Sequence, residues 1–80
     1  MKNRNKGYGD VNIVGARVES LRKERKISQK DFIAKLQLEG LDINPTSYSK
    51  LEGQIRIATD KEIYTIAKIL NVPIDFLFIK

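Results

Sequence analysis

The chain of 80 residues contains no cysteine and no histidine. Without cysteine it has no disulfide, no thiolate nucleophile and no thiolate metal site. Without histidine it lacks an imidazole base, and the usual zinc-binding combinations are excluded. The longest apolar run, residues 76–79, is far shorter than the roughly 20 residues that a membrane-spanning helix needs. These absences disfavour most classes of enzyme and predict neither a cofactor nor a membrane anchor.

The length is that of one small domain, too short for a second core or a large active-site cleft. The apolar fraction of 41% suffices for a packed core, and the charged fraction of 31% suits a solvated surface. The first ten residues have no apolar stretch of the kind found in signal peptides. We therefore expect a soluble cytoplasmic protein, with residues 1–11 as a disordered basic arm and residues 12–80 as the folded domain.

The charge is uneven along the chain. Fifteen lysine and arginine residues stand against ten acidic residues, which gives a net charge of +5. Residues 1–30 hold nine basic and three acidic side chains, a net charge of +6, whereas residues 31–80 hold six and seven, a net charge of −1. One positive region on a neutral body favours a polyanionic partner such as nucleic acid. A basic, solvated surface is the alternative, and charge alone leaves both open.

The pattern of apolar residues predicts five short helices and no sheet, because no segment alternates with period two between turn signals. Apolar residues recur at helical spacing in each segment, and the clearest amphipathic pattern follows Thr59. The predicted helices begin near Asn12, at Ser28, at Pro45, after Thr59 and at Pro73.

Capping signals mark the ends of these helices. Ser28 is a good N-cap, and Asn44-Pro45 places an N-cap before a proline at the first helical position. Thr59 and Glu62 have the spacing of a capping box. Gly40 and Asn71 are suited to the left-handed conformation that ends a helix.

The third predicted helix is short and mostly polar. Only Tyr48 and Leu51 are apolar between its two ends. A helix with defined ends and few core residues has a face available for a partner.

Three segments resemble the Xre/Cro-type helix-turn-helix proteins, the lambda-repressor-like family. They are LRKERKISQ at residues 21–29, SYSKLEG at residues 47–53 and IAKILNVPIDFL at residues 66–77. The resemblance covers residues 12–78, and it implies an all-α, five-helix DNA-binding domain whose third helix enters the major groove. It also implies a partly buried ion pair between Arg22 and Glu52 that ties the first helix to the third.

The chain departs from the family pattern at three places. The link at residues 37–43 is about five residues longer than the usual tight turn, so we expect a lengthened connection between the second and third helices. Ile33 stands where the family usually has a small alanine. Lys26 stands where glycine is common, and a left-handed conformation there would cost a lysine about 1 kcal/mol.

The resemblance also implies which residues bind DNA. Gln29 would contact a phosphate beside the positive end of the second helix, and its alternative is a solvated surface glutamine. Lys50 would donate to guanine O6 and N7, and its alternatives are a phosphate contact or a free side chain. The full set of predicted DNA-binding residues is Ser28, Gln29, Lys30, Pro45, Thr46, Ser47, Ser49, Lys50, Gln54 and Arg56.

The resulting prediction is a sequence-specific double-stranded DNA-binding transcriptional regulator, most simply a repressor. A small module needs a second copy for selectivity, so a weak homodimer on a two-fold operator is expected. The apolar residues 76–79 are the predicted dimer patch, unless all four complete the core. The alternative function is a protein-interaction module of the same fold, antitoxin-like or an anti-regulator. No metal or small-molecule substrate is predicted.

Overall fold

A computed structural model describes residues 11–78. This part of the chain forms four α-helices and a 3₁₀ helix and contains no strand. None of its helices has the length and apolar character needed to cross a membrane. The elements are α1 (Gly15–Glu24), α2 (Gln29–Leu38), α3 (Pro45–Glu52), α4 (Asp60–Leu70) and the 3₁₀ helix (Ile74–Phe78).

Two helices differ in detail from the sequence prediction. The last predicted helix is present as a 3₁₀ helix, beside the four α-helices of the described residues. Within the described residues, the helix predicted to begin near Asn12 begins at Gly15. The predicted basic arm, apart from Val11, lies outside the described residues.

Side chains cap the starts of α2, α3 and α4 as predicted. The Oγ of Ser28 accepts a hydrogen bond from the backbone N–H of Asp31 at 3.1 Å. The Oδ1 of Asn44 accepts from the N–H of Ser47 at 2.8 Å. Thr59 and Glu62 form the complete capping box. These bonds satisfy N–H groups that have no acceptor inside a helix, so the helix starts follow from local sequence.

Each of the four α-helices ends in a Schellman-type turn, with one residue in the left-handed conformation. Glycine occupies that position only after α2, where Gly40 has φ of 93°. Lys26, Gln54 and Asn71 occupy it after the other helices, with φ of 58°, 64° and 59°. Lys26 therefore adopts the left-handed conformation whose cost for a lysine was given above.

Asn12 connects the start of the described chain to the end of α3. Its Oδ1 accepts from the N–H groups of Val14 and Gly15, and its Nδ2 donates to the carbonyl oxygens of Leu51 and Arg56 at 2.9 Å each. Asn12 thus performs the capping function that Val14, the N-cap of α1, cannot perform with its side chain.

The core lies between all five elements. The rings of Phe32 and Tyr48 join α2 to α3, with their centroids 5.7 Å apart. Ile33 is buried as well, so the core accommodates a large side chain at a position where the helix-turn-helix proteins that this chain resembles usually have alanine. The largest fully buried side chains are Val14, Val18, Phe32, Leu36, Tyr48, Leu51, Ile66, Leu70 and Leu77.

Six residues, 39–44, join α2 to α3. Ile43 in this connection is buried, and its carbonyl oxygen accepts from Nε2 of Gln37 at 2.8 Å. The connection is therefore packed into the core and bonded to α2. Its extra length relative to other family members stays a prediction.

Candidate nucleic-acid interface

The predicted DNA-binding residues of α3 lie on one exposed face of that helix. Residues 45, 46, 49 and 50 are exposed and Ser47 is half-buried, whereas residues 48, 51 and 52 are buried. This spacing of three and four residues divides a helix into two opposite faces. The exposed face therefore carries small side chains with one positive charge, that of Lys50.

The start of α2 lies beside this face. The Oγ of Ser49 donates to Oε1 of Gln29 at 3.2 Å, which places the first turn of α2 against the exposed side of α3. Ser28 and Lys30, on either side of Gln29, are exposed. A groove of about 550 Å³ runs between the two helices. It is lined by Gln29, Lys30, Ile33, Ala34, Gln37 and Pro45.

A buried polar cluster holds α3 in place. The Nε of Arg22 lies 2.7 Å from Oε2 of Glu52, and the two side chains are only 7% and 3% exposed. The hydroxyl of Tyr48 donates to the same carboxylate, and Nε2 of Gln29 donates to its other oxygen at 3.0 Å. The predicted Arg22–Glu52 ion pair is therefore present, as one part of a larger cluster that joins α1, α2 and α3.

The cluster keeps Glu52 ionised. Burial acts to raise the pKa of Glu52, but the hydrogen bonds from Arg22, Tyr48 and Gln29 outweigh burial and lower it below its ordinary value. Burial, reinforced by Glu52, raises the pKa of Tyr48, which therefore stays protonated as a donor. One side of α3 is thus anchored by charge-assisted hydrogen bonds, and the other side is left exposed.

Gln29 uses both ends of its amide within the protein. The amide nitrogen donates to Glu52, and the amide oxygen accepts from Ser49. This pairing was not predicted from the sequence, because it depends on the relative position of α2 and α3. The backbone N–H of Gln29 lies in the first turn of a helix, and this group can still make the predicted phosphate contact.

Arg56 is bound to protein acceptors. Its Nη1 and Nη2 lie 2.9 Å from the two carboxylate oxygens of Glu62, and its Nε donates to the carbonyl oxygen of Ser47 at 2.9 Å. Burial acts to raise the pKa of Glu62, but Arg56 and Thr59 lower it overall. Arg56 therefore ties α3 to the capping box of α4, and its predicted phosphate contact stays a prediction.

Gln54 follows α3 in the left-handed conformation, and its Nε2 donates to the carbonyl oxygen of Asn12 at 3.1 Å. Sequence reasoning missed the structural importance of Asn12, although an asparagine just before a helix is a recognised signal for local capping. Asn12 and Gln54 together attach the start of the described chain to the loop after α3.

The fold and this exposed helix define a helix-turn-helix domain. Residues 18–77 match the sequence model of the helix-turn-helix family. The chain therefore belongs to that family, and the match confirms the Xre/Cro-type, lambda-repressor-like resemblance. No curated protein and no solved structure matches the chain. Membership makes the protein a DNA-binding regulator, with DNA as its partner.

Proposed function

We propose that the protein is a repressor that binds a specific double-stranded DNA operator in the cytoplasm. Its α3 helix would enter the major groove, and occupancy of the operator would exclude polymerase without any chemical step. The observation that supports this best is the exposed face of α3, which is polar and lightly charged while the opposite face is anchored by the Glu52 cluster.

The contacts with base edges come from α3. Lys50 donates to guanine O6 and N7, and the carbon atoms of Pro45 and Thr46 touch a thymine methyl group. Ser47 and Ser49 have small hydroxyls that discriminate weakly one at a time. Part of the specificity therefore comes from the shape and deformability of the DNA.

The contacts with phosphates come from residues that lie near α3 but outside it. Ser28, the backbone N–H of Gln29 and the exposed ammonium of Lys30 lie at the start of α2, where the helix dipole favours an anion. Gln54 and Arg56 lie in the loop after α3. These contacts position α3 but do not read sequence.

A second copy of the chain completes the operator contact. Leu77 is buried and Phe76 is half-buried under the guanidinium of Arg17, whereas Phe78 is 39% exposed; Ile79 lies outside the described residues. Phe78 borders a groove of about 240 Å³ that also includes the exposed side chains of Val11, Ile13 and Ile57. We name this surface the apolar groove and propose it as the two-fold contact.

The dimer should be weak without DNA. Burial of one aromatic ring contributes at most about 3 kcal/mol, so we expect a dissociation constant of about 1 μM or weaker. DNA would bring two copies to adjacent half-sites and thereby complete the assembly.

The apolar groove also supports a second candidate function, that of a protein-interaction module. In that case a different protein would bind at Phe78 and the rest of the apolar groove, and the exposed face of α3 would not contact DNA. The two candidates differ in their salt dependence, because apolar contacts release few counterions.

The test measures binding to fluorescein-labelled duplex DNA of random sequence by anisotropy, over a series of salt concentrations. We expect the logarithm of affinity to fall linearly with the logarithm of salt, with a slope of about −0.9 for each phosphate neutralised. Enrichment of bound sequences from the pool would then give the operator. No binding at low salt, or an affinity independent of salt, would contradict the proposal.

A further inference from the structure

The hydroxyl of Ser49 is engaged as a hydrogen-bond donor within the protein. Ser49 lies on the exposed face of α3, and its only O–H donates to the amide oxygen of Gln29 at 3.2 Å. We propose that Ser49 reads DNA as a hydrogen-bond acceptor and thereby selects adenine or cytosine, the bases with an exocyclic amino group, at the position it faces. This inference rests on the proposed function and adds one base preference to it.

Glu52 determines which groups donate and which accept in these hydrogen bonds. An ionised carboxylate can only accept hydrogen bonds, and Glu52 is held ionised by the buried cluster. Its Oε1 lies 3.0 Å from the amide nitrogen of Gln29 and 3.2 Å from Nη2 of Arg22. The side of Gln29 that faces Glu52 must therefore be its NH₂ group.

The orientation of Gln29 then sets the role of Ser49. A flipped amide would place the oxygen of Gln29 against a carboxylate oxygen, with no proton between them. The amide oxygen consequently faces α3, where Ser49 supplies its hydrogen. A serine hydroxyl has one donor and two acceptor lone pairs, so only acceptor capacity is left for a base.

The major groove offers a direct way to detect this polarity. Adenine N6 and cytosine N4 are donors, whereas guanine O6 and thymine O4 are acceptors. Lys50, the next residue, can only donate. Adjacent residues of α3 thus have opposite preferences, Ser49 for an amino group and Lys50 for a carbonyl or ring nitrogen.

The test compares sequences enriched from a random duplex pool by the wild type, Ser49→Ala and Gln29→Met. The position whose preference disappears in Ser49→Ala identifies the base that Ser49 faces. We expect adenine or cytosine there in the wild type, favoured about fivefold over guanine and thymine, as one neutral hydrogen bond allows. Gln29→Met removes the acceptor for the Ser49 hydroxyl, which can then donate to a base. Enrichment of guanine and thymine at this position should therefore rise to within about twofold of that of adenine and cytosine.

Gln37→Met is the matched control, because it makes the same change on α2 while its amide contacts Ile43 and not Ser49. It should retain the wild-type preference. A second measurement does not depend on the folding of any α2 variant: removal of the amino group from the selected base in a synthetic duplex should weaken wild-type binding about fivefold and leave Ser49→Ala unaffected.

The outcomes separate this inference from the proposed function. Guanine or thymine at the position that depends on Ser49, or identical preferences for the wild type and Ser49→Ala, would overturn the acceptor role alone. If the wild type enriches no sequence, the proposed function is wrong and the acceptor role is wrong with it.

Discussion

Gly15 at the start of α1 lies so close to the end of α3 that a side chain at this position would collide with Leu51. A Cβ built on Gly15 would be 2.3 Å from the carbonyl oxygen of Leu51 and 2.8 Å from that of Glu52. Both atoms belong to the backbone of α3 and cannot rotate away. The absence of a side chain at Gly15 is therefore what allows α1 to support the exposed helix closely.

Gly15→Ala should lower the free energy of unfolding by at least about 2 kcal/mol, because the backbone of α3 must shift. Chemical denaturation followed by circular dichroism measures this change. Gly53→Ala is the matched control, since Gly53 has an ordinary φ of −75° and its stability should change by less than about 1 kcal/mol. Equal effects of the two changes would show that the α1–α3 approach is not tight.

Lys26→Gly should raise the free energy of unfolding by about 1 kcal/mol, because glycine adopts the left-handed conformation at this helix end without the strain of a side chain. Lys35→Gly makes the same change inside α2, where it should lower stability by about 1 kcal/mol. Thermal melting of the two variants tests the opposite signs. If Lys26→Gly destabilises the protein, the lysine side chain makes a contact whose stabilisation exceeds the cost of the left-handed conformation.

Arg56→Lys should destabilise the protein by at least about 1 kcal/mol, because an ammonium group cannot replace the paired hydrogen bonds to Glu62. A phosphate ligand would tolerate this change much better, since the positive charge is retained. Denaturation and DNA binding measured on the same variant distinguish the two roles. Weaker DNA binding with unchanged stability would favour the phosphate contact and count against a structural role.

Lys50→Ala should relax the base preference at one operator position and weaken specific binding by about 1–3 kcal/mol, if Lys50 contacts guanine through both O6 and N7. Lys61→Ala removes the same charge from α4 and provides the control; it should leave the base preference unchanged. The measurement is enrichment from a random pool followed by titration of the best sequence. If both variants weaken all sequences alike, Lys50 does not read a base.

Phe78→Ser should reduce cooperative binding to an operator with two half-sites while the helical signal stays nearly unchanged, because Phe78 is exposed at the apolar groove. Tyr64→Ser is the control, since Tyr64 is 61% exposed on α4 and does not line that groove. Titrations of DNA with one and two half-sites measure the cooperativity. Unfolding of Phe78→Ser would assign Phe78 to the core, and unchanged cooperativity would place the dimer contact elsewhere.

The starts of α2, α3 and α4 were predictable from sequence because their signals are local. Ser28, Asn44 and Thr59 each bond to an N–H group three residues further along the chain. The left-handed turns at Gly40 and Asn71 also follow from the residues themselves. The last helix was predicted without its type, because a run of five residues satisfies the hydrophobic pattern of an α-helix and of a 3₁₀ helix equally well.

The candidate DNA-binding face was predicted as a set of residues, and the structure brings its α2 and α3 members together through the Gln29–Ser49 bond. The partners of these residues were not predictable. Gln29 and Arg56 were interpreted as DNA-contacting groups, because nothing in their own segments identifies Glu52 and Glu62 as their partners.

The sequence by itself determined the helical class, the caps and the family, because each of these depends on residues a few positions apart or on a motif in a fixed order. Only the tertiary structure decided which polar groups bond to other protein groups and which can contact DNA. Asn12 and Leu51 are 39 positions apart, and Gln29 and Glu52 are 23 apart. Hydrogen bonds over such separations form only when packing of the apolar core has fixed the angle and distance between helices, and that geometry is a property of the whole chain.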